Sequence, residues 1–146
     1  MVCETTLQPA DLIYPIFVVA GKNVKEEVPS MPGTFHWSSD LAVSCAKEVY
    51  ALGISAILIF GLPEYKDDIG TSAWDMNSPV QKTVKAIKDA IPELTVITDV
   101  CLCQYTTCGV RGVDRAQEAL KPKGLRLLAK INICVFTSPK LMFKRI

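Results

Sequence analysis

Histidine is nearly missing from this chain: His36, beside Phe35 and Trp37, is the single one among 146 residues. No Ser–His or Cys–His pairing is therefore spelled out, and His36 reads as a loop or surface residue. Charge of one sign is missing too. Sixteen basic and 15 acidic residues leave a net charge of +1, so no field draws nucleic acid or an anionic membrane. No apolar run approaches the roughly 18–20 residues of a membrane span. The longest, residues 54–63, fits a buried strand and its exit. The start, Met1-Val2-Cys3-Glu4, has no basic stretch followed by an apolar one; no secretory signal is read there, and a cytoplasmic setting is expected. Gly61-Leu62-Pro63 and Gly109 with Gly112 lack the Gly-Lys-Ser/Thr of a phosphate loop.

What is present suits one ordinary domain with a core: 49% apolar and 21% charged residues. Six cysteines without a secretory signal read as thiols or metal ligands rather than disulfides.

Residues 12–19, Leu-Ile-Tyr-Pro-Ile-Phe-Val-Val, form a continuous apolar run that predicts a strand buried on both faces. Pro15 has no N–H for a ladder, so the strand is expected at an edge or irregular there. A polar loop follows and closes on the turn cluster Pro29-Ser30-Met31-Pro32-Gly33. Ser39 can cap a helix over 40–52 with Leu41, Cys45, Val49 and Leu52 on one stripe, widened by Ala42, Ala46 and Tyr50. Gly53 supplies its stop. Residues 54–60 predict a second buried strand. The loop 61–77 is long and polar, and its acidic pair Asp67 and Asp68 reads as solvated rather than catalytic. Ser78-Pro79 opens a second helix whose apolar face is Val80, Val84, Ile87 and Ile91, ended by Pro92. Residues 95–100 predict a third strand. Strands joined by helices call for a parallel sheet, with both helices on one outer side. Periodicity does not choose between a barrel and an open sheet.

From Gly109 the pattern degrades. Residues 124–130 suit a short helix and 131–136 a fourth strand, and the basic, apolar end of the chain is expected to fray.

The third strand runs into Thr98-Asp99-Val100-Cys101-Leu102-Cys103-Gln104-Tyr105-Thr106-Thr107-Cys108-Gly109, which holds half of the six cysteines. In parallel α/β folds functional groups collect at the carboxyl ends of strands. Thiolates suit Zn²⁺, and a short loop can bring Cys101 and Cys103 to one ion. Asp99 is a candidate acid or outer partner of such a site. The plain alternative is a pair of small, partly buried thiols, because Cys-x-Cys alone is weakly specific. Cys45 reads as core; Cys3 and Cys134 read as incidental.

Several motifs, in order, carry a resemblance. Asp11-Leu12-Ile13-Tyr14-Pro15-Ile16-Phe17-Val18 and Val28-Pro29-Ser30-Met31-Pro32-Gly33 come first. Phe60-Gly61-Leu62-Pro63 follows, with Lys66-Asp67, Ile69-Gly70-Thr71 and Ala73. Thr98-Asp99-Val100-Cys101-Leu102-Cys103 with Tyr105-Thr106 closes the series. Together they resemble the N-terminal part of the porphobilinogen synthase (δ-aminolevulinic acid dehydratase) family over about residues 2–107. The resemblance implies an incomplete α/β (β/α)₈ TIM barrel with its first three βα units recognisable. On this reading residues 1–112 are the barrel portion and 113–146 a divergent tail. It implies a lyase that condenses two 5-aminolevulinate molecules to porphobilinogen with loss of two waters, in a homo-oligomeric assembly. It further implies Schiff-base lysines on later strands and, in zinc-dependent members, a Zn²⁺ held by three cysteines. Here Cys101 and Cys103 match two of them. The family pattern continues Tyr-Thr-x-His-Gly-His-Cys-Gly, whereas this chain has Cys108, Gly109, Val110 and Arg111 where the His-Gly-His-Cys stands. Arg111 occupies the third cysteine's place, and Cys108, three residues earlier, is the candidate substitute. The Schiff-base lysines have no counterpart: Lys121-Pro122-Lys123-Gly124 comes too soon and follows no buried strand.

The expectation is a truncated or frame-shifted relative, inactive alone, poorly soluble or marginally stable because strand edges and one sheet face stay uncovered. A non-catalytic remnant with weak zinc binding and an unrelated small α/β binding module are the alternatives.

Overall fold

Four buried side chains on two strands, Ile16 and Val18 beside Ile57 and Ile59, make the floor on which the rest of the molecule is laid. The computed structural model describes residues 5–99, 101 and 103–107. The apolar run near the start becomes β1 (Ile13–Val19), and the second becomes β4 (Ala56–Leu62). They pair in parallel along their whole length, with Ile16 opposite Ile59 and Phe17 opposite Phe60. Beyond β4 lies β5 (Thr95–Thr98), also parallel, with Ile57 opposite Val96 and Ile59 opposite Thr98. The three strands expected from the apolar runs are thus neighbours in sequence order.

Two more strands fall where a polar loop is expected. β2 (Lys25–Glu27) and β3 (Phe35–Ser38) pair antiparallel, and β3 pairs in parallel with β1. The sheet order is β2-β3-β1-β4-β5. β1 is therefore internal, against the edge position expected from Pro15. The β3 ladder starts only at Phe17, so Pro15 has one neighbouring strand and its missing N–H leaves no carbonyl of β3 unpaired. Lys25 Nζ lies 4.7 Å from the Phe35 ring centroid and 4.9 Å from that of Trp37, a cation–π contact that holds the exposed β2 to β3.

The helices are α1 (Ser39–Ala51) and α2 (Pro79–Ala90). The N-cap of α1 is Ser38, one residue before the expected cap. Its hydroxyl accepts the Val24 N–H at 2.9 Å instead of capping the helix. Ala42, Cys45, Ala46 and Val49 are buried, while Leu52 is 70% exposed and Tyr50 40%. The apolar stripe therefore ends at Val49, two residues before the helix does. Pro79 takes the first turn of α2, and Val80, Val84 and Ile87 point into the core with Ile91. Both helices cover the same sheet face, as right-handed crossovers require, and Thr83 Oγ1 donates to Ser39 Oγ at 2.9 Å between them. Gly53 has φ +86° after α1, the left-handed stop that glycine permits.

The opposite sheet face carries Phe17, Phe60, Leu58 and Val19, half-buried, with Ile13 and Ile97 exposed. Phe17 and Phe60 stack at 5.3 Å, and His36 meets Phe17 edge-on at 6.4 Å. His36 is a strand residue in an apolar row rather than part of a loop.

Candidate functional site

All three parallel strands β1, β4 and β5 end on the same side, and the cysteine segment leaves from the last of them. Asp99 follows β5 directly, its N–H donating to the Ile59 carbonyl at 3.4 Å. Its Oδ2 accepts the Gln104 side-chain amide at 3.4 Å. Between these residues the chain turns: Cys103 N–H donates to Cys101 Sγ at 3.4 Å, and both thiols are half-buried. The Cys103 thiol is pushed above its ordinary range, first by its hydrogen bond with Cys101, then by burial. Two sulfurs side by side, one already accepting an amide N–H, are a soft donor pair of the kind Zn²⁺ takes. Asp99, Cys101 and Cys103 lie on one turn after β5, Cys101 bonded to the Cys103 N–H and Asp99 to Gln104. Cys108 lies outside the described residues, as do Arg111, Cys3 and Cys134. Among the described residues no group of three or more His, Cys, Asp and Glu is placed to hold a metal.

Beyond Cys103 the segment is fastened to the loop after β4. Asp67 N–H donates to the Tyr105 carbonyl at 3.3 Å, and Thr107 N–H donates to the Asp67 carbonyl at 3.2 Å. This makes a parallel bridge of Asp67 with Thr106. Thr107 Oγ1 donates to Asp68 Oδ1 at 2.7 Å. The acidic pair, expected to be solvated, is exposed at Asp68 and also takes part in a tie, through the Asp67 backbone and the Asp68 carboxylate. Asp67 Oδ1 also accepts the N–H of Thr71 at 2.9 Å and of Ile69 at 3.1 Å. These bonds, with the Thr71 hydroxyl first, hold its carboxyl below the usual range.

Tyr105 is buried against Gly61, where a Cβ would stand 2.7 Å from its hydroxyl oxygen. Burial, then the Asp99 and Cys101 charges, push its pKa up to about 12. Thr106 Oγ1 is buried with no hydrogen-bond partner among the described residues. Gly61, expected to open the loop 61–77, is instead the sixth residue of β4, and a glycine within a strand marks a close approach. Nothing local marked the partners of Asp67 and Asp68.

A parallel sheet with helices on one face, an apolar opposite face and polar groups at the strands' carboxyl ends is the plan of a (β/α) barrel portion. The structure superposes on that of delta-aminolevulinic acid dehydratase from Toxoplasma gondii ME49, solved with the reaction product porphobilinogen. The TM-score is 0.83 at 24% identity, covering 94% of this chain and 40% of that one. In sequence, the family described as Delta-aminolevulinic acid dehydratase matches residues 1–138. Relatives of that description include one from Synechococcus elongatus, 49% identical over 137 residues, and one from Bacillus subtilis, 46% identical over 133. These alignments cover 91% of this chain and 42% and 41% of the relatives. The chain belongs to the delta-aminolevulinic acid dehydratase family and spans about two-fifths of the length of these relatives. The match to residue 138 runs past Thr107, so the likeness reaches further than the quoted motifs. Among the described residues no helix is long and apolar enough to cross a membrane.

Proposed function

We propose that this chain supplies the first strands and the thiol side of a porphobilinogen synthase active site, whose substrate is 5-aminolevulinate. The observation that carries this reading is the joint placement of Asp99, Cys101 and Cys103 at the carboxyl end of β5, half-buried and linked by Gln104 and the Cys103 N–H. Cys101 and Cys103 are two ligands of a Zn²⁺, and Cys108 is the candidate third. When bound, the metal supplies a Lewis acid at the substrate. The chain's own part is to present two adjacent sulfurs, to keep Asp99 oriented through Gln104, and to wall the site with Tyr105.

Condensing two amino ketones through Schiff bases needs lysine amines whose pKa is depressed. Among the described residues from Asp99 to Thr107 there is no lysine, and Lys66, beside Asp67 in the loop after β4, lies outside that segment. On this reading the 146-residue chain does not turn over 5-aminolevulinate by itself, and its setting is the cytoplasm, within a homo-oligomeric assembly. The test is to incubate the full chain with 5-aminolevulinate and Zn²⁺, then reduce with borohydride. No lysine adduct is expected. A reduced adduct on a lysine would overturn the inactive reading and establish Schiff-base chemistry within this chain.

A further inference from the structure

The thiols sit at a turn anchored at both ends, and the two anchors differ in kind. Before the turn, Asp99 N–H donates to the Ile59 carbonyl within the sheet. After it, residues 105–107 are fastened to the loop that follows β4. There the backbone of Asp67 makes two bonds, to Tyr105 and from Thr107, and the carboxylate of Asp68 takes the Thr107 hydroxyl at 2.7 Å. The carboxylate of Asp67 is turned to its own loop, where its Oδ1 accepts the Ile69 and Thr71 N–H groups. Asp67 shapes the loop, and Asp68 makes a side-chain link, at the surface, from that loop to the segment. A charged acceptor at short distance makes the stronger class of hydrogen bond.

We propose that Asp68, acting through Thr107, is a positioning residue that fixes the Cys101–Cys103 turn for thiol chemistry. The inference rests on the reading of these two thiols as the working pair. With the link intact, the chain after Cys103 is held to the loop by a side chain as well as by the main chain, and the two sulfurs keep one spacing. Without it, the main-chain bonds of 3.2–3.3 Å between Asp67 and residues 105 and 107 and the packing of Tyr105 against Gly61 carry the hold with less restraint at Thr107. A turn loosened at one end samples open geometries in which the sulfurs part.

The experiment is alkylation of the metal-free full chain by iodoacetamide, read separately at Cys45, Cys101 and Cys103 by mass spectrometry. Asp68→Ala and Thr107→Val should each raise labelling of Cys103 by about threefold to fivefold, the size expected for one lost hydrogen bond. Asp68→Asn, which keeps an acceptor oxygen, should restore most of the protection. Cys45, buried in the core, should label at the wild-type rate throughout. Unchanged labelling of Cys103 in Asp68→Ala overturns the proposal. So does a rise at Cys45 in step with Cys103, which assigns the effect to global unfolding. Co²⁺ titration of the same proteins separates the two layers. A wild-type chain that gives no thiolate–Co²⁺ charge-transfer band defeats the metal reading, while the labelling still decides the role of Asp68.

Discussion

Gly61 and Tyr105 approach so closely that position 61 has no room for a side chain: a Cβ there would lie 2.7 Å from the Tyr105 hydroxyl oxygen and would also collide with the Val80 side chain. Gly61 stands opposite Val18 in the β1–β4 ladder, on the sheet face that the helices cover. Its missing Cβ is the space into which α2 and the cysteine segment both pack. Gly61→Ala is therefore expected to destabilise the fold by about 1–3 kcal/mol through overpacking, despite alanine's better fit to a strand. Urea melts followed by circular dichroism would show it as a lower midpoint at unchanged slope. An unchanged midpoint would mean that Tyr105 or Val80 yields at no cost.

The same contact makes the protein sensitive to alkali. Tyr105 titrates at about 12 in the folded chain, against roughly 10 for an unfolded tyrosine. Between those values the folded state keeps a proton that the unfolded state has lost. Stability from this group is thus full below about pH 10 and declines as pH rises toward 12. The loss is on the order of 2 kcal/mol, an upper figure for so large a shift. Unfolding free energies at pH 9 and pH 11.5 should differ by less in Tyr105→Phe than in the wild type. Equal pH dependence in the two proteins would remove Tyr105 from the account.

Local pattern disclosed the core, because local pattern is what formed it. The strands β1, β4 and β5 are written as short continuous apolar runs, and the face Val80, Val84, Ile87 and Ile91 in a period of 3.6. β2 escaped because Lys25, Glu26 and Glu27 are all exposed. Its pairing depends on the turn Met31–Gly33 and on aromatic rings ten or more residues away, which no short window reports. At the site, Asp99, Cys101 and Cys103 were legible since one short segment carries all three. The tie from Asp67 and Asp68 was not, because those residues lie a whole helix and strand earlier. Only the fold brings them beside Tyr105, Thr106 and Thr107.

Thr106 offers a contrast to its neighbours. Its hydroxyl is buried without a partner among the described residues, so no bond within them offsets its desolvation cost. Thr106→Val keeps the shape and removes the hydroxyl. The change is expected to be neutral or to stabilise the chain by up to about 1 kcal/mol. Thermal melts of the two proteins side by side would decide it. A loss of stability would reveal that the hydroxyl does bond in solution.

The thiol pair yields the most direct test of the metal reading. Zn²⁺ binds thiolates, so each cysteine must shed a proton first, and Cys103 holds its proton more firmly than an ordinary cysteine. Zn²⁺ affinity should accordingly climb as pH rises from 6 toward 9. Chelation with EDTA should return the chain to its metal-free melting behaviour. Cys101→Ser and Cys103→Ser remove direct ligands, and each is expected to weaken Zn²⁺ or Co²⁺ binding by more than about 100-fold. Losing only an outer-shell partner already costs about 10–100-fold. Cys45→Ser, in the core and on the covered face, should leave the affinity unchanged and lower stability alone. Equal binding by wild type, Cys101→Ser and Cys103→Ser would take the metal away from this turn. A Cys108→Ser variant that binds like the wild type would take the third ligand away from Cys108 while leaving the pair in place.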